Sequence, residues 1–348
     1  MDTSNHWNEF EYSKLKLLLH QGKVNSLFRI LQGEAHYDPL PPISVELHLT
    51  DLCNLKCSWC TDGTLRRNRA TNPKETVFAL FDNFSAHGVG VTIEGGGEPS
   101  MHPDFARIVK YGTSMGVAMG LISNGVRDFS DLVRSFTWVR ISLDASSPGE
   151  YETEKGLPGF DTVLANISRF AKSRDPARTH FGVGYVLTVR NQSRLLPLIR
   201  ELDGMGVDYM YLRPVEEAPS LTPSLDELFA LKKELIRQGE GMRIRCLLTV
   251  SERMVTDNDG LPCVCHPLSC IIQANGDVAL CEKRRHDPVI FGNLRDASFE
   301  ELWNSPIRRE ASRRLMNPLQ QKGCGVCRIA SFNKVFSDVS AIHTKSFI

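Results

Sequence analysis

Leu49-Thr50-Asp51-Leu52-Cys53-Asn54-Leu55-Lys56-Cys57-Ser58-Trp59-Cys60 carries three cysteines spaced Cys-x3-Cys-x2-Cys. Directly upstream, Val45, Leu47 and Leu49 alternate with Ser44, Glu46 and His48 across Ile43–Leu49, the period-two pattern of a strand. The thiols therefore sit on a loop that follows a strand. Three thiolates on a short loop can hold three irons of a cubane and leave the fourth open for chemistry. Zinc and buried thiols are the rival readings. Zinc usually takes four ligands, and no fourth Cys lies near this loop. A disulfide framework does not suit a chain of this length with no secretory segment.

Outward from that loop, strand and helix signals alternate. Helices are expected at Lys74–His87, Asp104–Ser114, Phe129–Phe136, Phe160–Ser173, Ser193–Met205 and Ser224–Gln238. Strands are expected at Gly90–Glu94, Val117–Ile122, Val139–Leu143, Phe181–Val189 and Tyr209–Arg213. Six β-then-α units imply a parallel sheet with helices on its outer face and a site at the carboxyl ends of the strands. One or two amphipathic helices are expected over residues 10–33. After about residue 247 the alternation fades, and Cys263, Cys265, Cys270, Cys281, Cys324 and Cys327 mark a second, smaller module. The expected organisation is a helical extension at 1–42, a partial barrel at 43–246 and an auxiliary module at 247–348.

The 348 residues hold 41 Lys+Arg against 41 Asp+Glu, so the net charge is zero and no global nucleic-acid footprint exists. The run Arg66-Arg67-Asn68-Arg69 reads as a solvated loop. No stretch approaches the roughly 18 apolar residues of a membrane span, and residues 1–6 lack a signal pattern. Ten cysteines without secretory features point to a reducing cytoplasm and to metal or redox work.

With these elements in place, residues 43–330 resemble a radical S-adenosylmethionine (SAM) enzyme. Cys53, Cys57 and Cys60 match the family's cluster motif, with Trp59 at its usual aromatic position. The resemblance implies a 4Fe–4S cluster whose open iron is chelated by SAM. Gly95-Gly96-Gly97-Glu98-Pro99 is similar to the Gly-Gly-Glu-Pro element that meets the SAM amino group; by itself it is a turn. Ile122-Ser123-Asn124-Gly125 and Ile141-Ser142-Leu143-Asp144-Ala145 resemble segments that flank SAM. The resemblance thus makes Trp59, Gly96, Gly97, Glu98, Ser123, Asn124, Ser142 and Asp144 candidate SAM-binding residues. Strand-end turn chemistry is the other reading of the polar ones. Arg194 or Arg213 could pair with the SAM carboxylate through a bidentate fork, with a surface salt bridge as the alternative.

The C-terminal module is similar to the auxiliary-cluster extension called SPASM in its long form and twitch in its short form. Cys270 and Cys281 flank a hairpin expected at Asn275-Gly276, and Cys324-Gly325-Val326-Cys327 follows. No Cys follows Cys327, so the match implies the short form, with Cys270, Cys281, Cys324 and Cys327 around one auxiliary 4Fe–4S cluster. Zinc on these four is the alternative. Cys246, Cys263 and Cys265 are buried thiols, or one of them is a further ligand or a hydrogen-atom donor to a substrate radical.

The resemblance implies a fold of α/β class, a partial (β/α)6 TIM-like barrel with a small C-terminal α+β domain. It implies two 4Fe–4S clusters, SAM, a flavodoxin- or ferredoxin-type electron donor and a 5′-deoxyadenosyl radical that abstracts a hydrogen atom. Similarity to short-form aminocyclitol-oxidising enzymes leads to the expectation of a small polar substrate, a sugar, aminocyclitol or nucleoside. Modification of a peptide is the alternative; residues 1–42 read helical rather than as a leader-binding β-hairpin fold.

Overall fold

The computed structural model describes residues 15–63, 69–216, 218–250, 260–281, 283, 289–317, 324, 327 and 329–342. The basic run Arg66-Arg67-Asn68 lies outside the described residues. Ten strands form one sheet. They are β1 Ser44–Leu47, β2 Gly90–Ile93, β3 Met119–Ser123, β4 Trp138–Ser142, β5 His180–Leu187, β6 Tyr209–Pro214, β7 Arg245–Leu248, β8 Ser269–Ile272, β9 Asp277–Ala279 and β10 Ile290–Asn293. The spatial order is β10-β9-β8-β1-β2-β3-β4-β5-β6-β7. All pairings from β8 through β1 to β7 are parallel, and β9 and β10 close the edge antiparallel.

The helices are α1 Gln21–Leu31, α2 Lys74–His87, α3 Phe105–Ser114, α4 Pro148–Lys155, α5 Phe160–Ser173, α6 Leu195–Gly204, α7 Leu225–Gln238, α8 Phe299–Trp303, α9 Pro306–Met316 and α10 Ala330–Ser340. The main core lies between the sheet and its helices, where Val45, Leu47, Val91, Ile93, Val139, Ile141, Met210 and Leu212 pack together. Period-two alternation turns their strand neighbours Glu46, Arg140, Tyr211 and Arg213 into the cleft on the other face. The fold is thus the expected α/β arrangement around a parallel sheet. Among the described residues no helix is long and apolar enough to cross a membrane.

Several elements differ from expectation. Phe129–Phe136 forms only a short 3-10 turn at Val133–Ser135. The Ser130 N–H donates to Asp128 Oδ1 at 3.0 Å, a local bond that competes with helix formation. A seventh parallel strand, β7, follows α7. The N-terminal pattern resolves as a 3-10 turn, Leu15–Leu19, and then α1.

Helix α4 was not signalled by periodicity, yet it positions the cysteine loop. Ser147 caps it, accepting the Glu150 N–H, and Pro148 begins it. Its last carbonyls receive the loop, with Lys56 N–H donating to Lys155 O at 2.9 Å and Ser58 N–H to Glu154 O at 3.1 Å. Gly156 ends α4 at φ +75°, and a Cβ there would lie 2.6 Å from Lys56 O.

The C-terminal segment returns to the first strand. β8 pairs with β1, Cys270 opposite Val45. Phe28 of α1 packs on Phe336 of α10 with ring centroids 4.9 Å apart. Buried Lys23 pairs with Asp38 and donates to Leu40 O at 2.9 Å, while buried Arg308 donates to Asp38 O at 2.8 Å. One polar knot therefore ties the segment from Lys23 to Leu40 to α9.

Gly156→Ala is expected to cost more stability than Gly116→Ala. Both positions have positive φ (+75° and +71°), which costs an L-residue roughly 1–2 kcal/mol. Only Gly156 faces backbone, whereas nothing lies within 4 Å of a Cβ at Gly116. Equal losses in urea unfolding would show that the approach of loop and helix carries no strain.

Candidate active site

The carboxyl ends of the strands open into a cleft of about 290 Å³. Its wall gathers Cys53, Cys57, Trp59 and Cys60 from the first loop, Gly95–Glu98 after β2, Ser123 and Asn124 at the end of β3, and Ser142 and Asp144 at and just past the end of β4. The three thiols and the glycine turn, distant in sequence, thus share one cleft. The turn is pressed against the cysteine loop. Gly97 N–H donates to Thr50 O and Glu98 N–H to Leu52 O, each at 2.7 Å, and a Cβ on Gly97 would collide with the Leu52 carbonyl. Only glycine lets that backbone pass.

The polar residues expected to touch SAM are largely committed to one another. The Glu98 carboxylate is 3 % exposed. It accepts Ser100 Oγ–H at 2.6 Å, Ser100 N–H at 3.0 Å, Ser123 Oγ–H at 2.7 Å and Asn124 N–H at 2.7 Å. Asn124 Nδ2 donates to Asn54 Oδ1 at 2.7 Å, tying β3 to the cysteine loop. Asp144 sits at φ +57°, accepts the Val186 N–H at 2.6 Å and pairs with Lys155. These residues shape the wall.

Behind the thiols lies a second layer that sequence reasoning missed. Glu154, fully buried, accepts Trp59 Nε1–H at 2.8 Å, Thr188 Oγ1–H at 3.0 Å and two Arg190 N–H groups at 3.1 and 3.0 Å. Lys155 Nζ lies 5.3 Å from the Trp59 ring centroid. Burial pushes the Cys57 thiol up to about 11, with Lys155 pulling the other way. Burial opposes the Lys155 charge, but Asp144, Cys57 and Tyr151 together hold its pKa above the ordinary value. The only signal of this layer in the sequence was the helix start Ser147-Pro148-Gly149-Glu150.

Arg194 lies elsewhere: it is exposed at the start of α6 and does not line the cleft. Arg213 does, paired to Glu216 at 3.4 Å, and so does Arg140, which stacks 4.7 Å from the Tyr211 ring.

The C-terminal cysteines are grouped differently from expectation. Burial raises the pKa of Cys263, and the thiols of Cys281, Cys327 and Cys324 add to the rise. Burial also raises that of Cys270, but its charged neighbours are Arg308, Glu46 and Lys23. The register explains the difference. Cys270 opposes Val45 and joins the helix-facing core. The Asn275-Gly276 hairpin forms as expected between β8 and β9.

Cys263 is braced by buried neighbours. Asn333 Nδ2 donates to its sulfur at 3.4 Å, and His266 Nδ1 meets its carbonyl at 2.5 Å. Burial lowers His266 to about 3, so the ring is neutral. As hydrogen-atom donors, Cys246 and Cys265 are misplaced. Cys246 is the second residue of β7, at the strand's opposite end from the cleft, and Cys265 is packed with Leu17, Leu27 and Phe336.

Comparisons with known proteins agree with this geometry. The Radical SAM superfamily pattern matches residues 47–212, and the SPASM iron–sulfur cluster-binding domain matches residues 263–328. The mycofactocin maturase of Mycobacterium tuberculosis is 26% identical over 303 residues, 82% of this chain and 75% of the relative. The PqqA peptide cyclase of Gluconobacter oxydans is 25% identical over 290 residues, 77% of this chain and 78% of the relative. The structure of Streptococcus suis SuiB bound to precursor peptide SuiA superposes with a TM-score of 0.65 at 15% identity, covering 94% of this chain and 80% of SuiB.

These findings correct the expectation of a small polar substrate and small-molecule partner. The relatives just named are a maturase and a peptide cyclase.

Glu98→Gln is expected to lower the unfolding free energy by about 1.5–3 kcal/mol with no SAM present, because a buried anion loses charge-assisted bonds. Ser123→Ala, which removes one of its four donors, is expected to cost about 1 kcal/mol. Unchanged denaturant midpoints for both would mean that the wall does not depend on this clip.

Proposed function

The chain belongs to the radical SAM superfamily and carries a C-terminal SPASM iron–sulfur domain, and on that premise we propose that it is a maturase oxidatively modifying a peptide. Its cofactors are 4Fe–4S clusters and SAM. When bound, they supply a 5′-deoxyadenosyl radical that can take a hydrogen atom from an unactivated C–H bond. The observation that carries the proposal is the single cleft joining the three-thiol loop to the glycine turn, in a chain whose relatives include a peptide cyclase.

Cys53, Cys57 and Cys60 are the proposed ligands of the open cluster. Trp59 braces their loop through Glu154. Gly96 and Gly97 offer bare backbone to the SAM amino group, and Ser142 offers a hydroxyl on the same wall. The auxiliary ligands are proposed to be Cys263, Cys281, Cys324 and Cys327, with Cys270 a buried core thiol. One such set is the short, twitch-like form. A cluster there can accept the electron left on the substrate, which makes an oxidoreductase the favoured subclass. Arg140, Tyr211 and Arg213 extend the cleft wall and hold the substrate's polar groups away from bulk water.

The test is anaerobic reconstitution with SAM, reductant and synthetic peptides from short reading frames beside this gene. Release of 5′-deoxyadenosine together with a dehydrogenated peptide supports the reading. Cleavage of SAM with every such peptide left unchanged, but a nucleoside or sugar oxidised, sinks it. The ligand assignment has its own readout. Cys270→Ala should keep about eight irons per chain and Cys263→Ala should fall toward four. The reverse would return Cys270 to the auxiliary site.

A further inference from the structure

Lys155 is a buried cation placed against the cysteine loop by its own backbone. Its carbonyl holds Lys56 N–H at 2.9 Å, and its side chain is 2 % exposed. The ammonium pairs with Asp144, which is 1 % exposed and itself anchored by the Val186 N–H. The Trp59 ring, between Ser58 and Cys60 in the chain, lies 5.3 Å from Nζ. Lys155 and Cys57 line the same cleft. A buried ion pair is weak evidence for stability, since apolar residues of similar volume often do as well. Asp144 also holds a positive φ that L-residues rarely adopt. The arrangement maintains a fixed charge beside one corner of the loop.

We propose that Lys155 is a positioning residue that sets how easily the cluster on Cys53, Cys57 and Cys60 is reduced, with Asp144 tuning how much of its charge is felt. Reduction adds an electron to an already anionic thiolate cluster. A buried cation at the Cys57 corner stabilises the reduced form, because low polarity strengthens the interaction. Removing the cation makes reduction harder, and neutralising Asp144 makes it easier. The inference rests on the reading of this loop as the cluster site.

The test is a redox titration of the reconstituted holoenzyme by electron paramagnetic resonance. It follows the signal that changes when SAM is added, which separates this cluster from the auxiliary one. The variants are Lys155→Met, Lys155→Arg, Asp144→Asn and the double variant Lys155→Met with Asp144→Asn. The midpoint is expected to move negative for Lys155→Met, to move positive for Asp144→Asn and to stay near native for Lys155→Arg. The double variant buries no unpaired charge, keeps its fold and still titrates below the native protein. At a fixed dithionite concentration the reduced fraction follows the same order. Shifts in the same direction for the two single variants, or none in any variant with iron content and circular dichroism intact, overturn the proposal. Absence of iron from the native Cys53/Cys57/Cys60 loop overturns instead the reading on which it rests.

Discussion

Docking of the cysteine loop on the C-terminal turn of α4 is the constraint from which the rest of the site follows. Two loop N–H groups reach the carbonyls of Glu154 and Lys155, and the Trp59 indole reaches the Glu154 carboxylate. A helix C-terminus leaves carbonyls without intrahelical partners, so a docking loop satisfies acceptors that would otherwise need water. The same helix end then projects Glu154 and Lys155 into the interior, where Arg190, Thr188 and Asp144 meet their charges. Removing one partner from such a buried pair costs about 3–5 kcal/mol, so each group fixes the next.

The glycine turn is the opposing jaw. It bonds the loop through Gly97 and Glu98 N–H, while the Glu98 carboxylate grips the end of β3. Loop, turn and strand end thus form one hydrogen-bonded body whose shape is set before any ligand arrives. Such preorganisation suits radical chemistry, where a misplaced neighbour is attacked in place of the substrate. Far along the chain, β8 lies beside β1 and carries the Cys263 segment to the same sheet.

Much of this was legible in the sequence, and what was not has physical causes. The strand–helix series could be read because parallel strands covered by helices keep long apolar patterns. The cysteine and glycine motifs could be read because their residue types have few substitutes in those roles. Helix α4 could not, because Pro148-Gly149-Glu150-Tyr151-Glu152-Thr153-Glu154-Lys155 buries Tyr151 together with two charged residues and shows no apolar stripe. Cys270 is hard to place from sequence because a tight turn indicates that two strands pair but not which face a thiol occupies. That was decided by the register of β8 on β1, a contact across more than two hundred residues. Glu98 and Asp144 were legible as site residues, but their partners were not, since Ser123 and Lys155 reach them only in the folded chain.

The peptide substrate proposed above suits the alternation of the strands. Val139 and Ile141 of β4 and Met210 and Leu212 of β6 face the helices. The intervening Arg140, Ser142, Tyr211 and Arg213 line the cleft with Glu46 of β1. A wholly apolar ligand would return no hydrogen bond to any polar atom of this wall that it strips of water, at roughly 1–3 kcal/mol for each group so left. A peptide brings amide donors and acceptors at every residue, whatever its side chains. The Arg140 guanidinium is laid against the Tyr211 and Trp138 rings at 4.7 and 5.6 Å. Held flat in this way it keeps its N–H edge free to turn toward such acceptors with little loss of side-chain entropy. The polar lumen is therefore no obstacle to a peptide; it is the surface on which a backbone can be desolvated and still remain hydrogen-bonded.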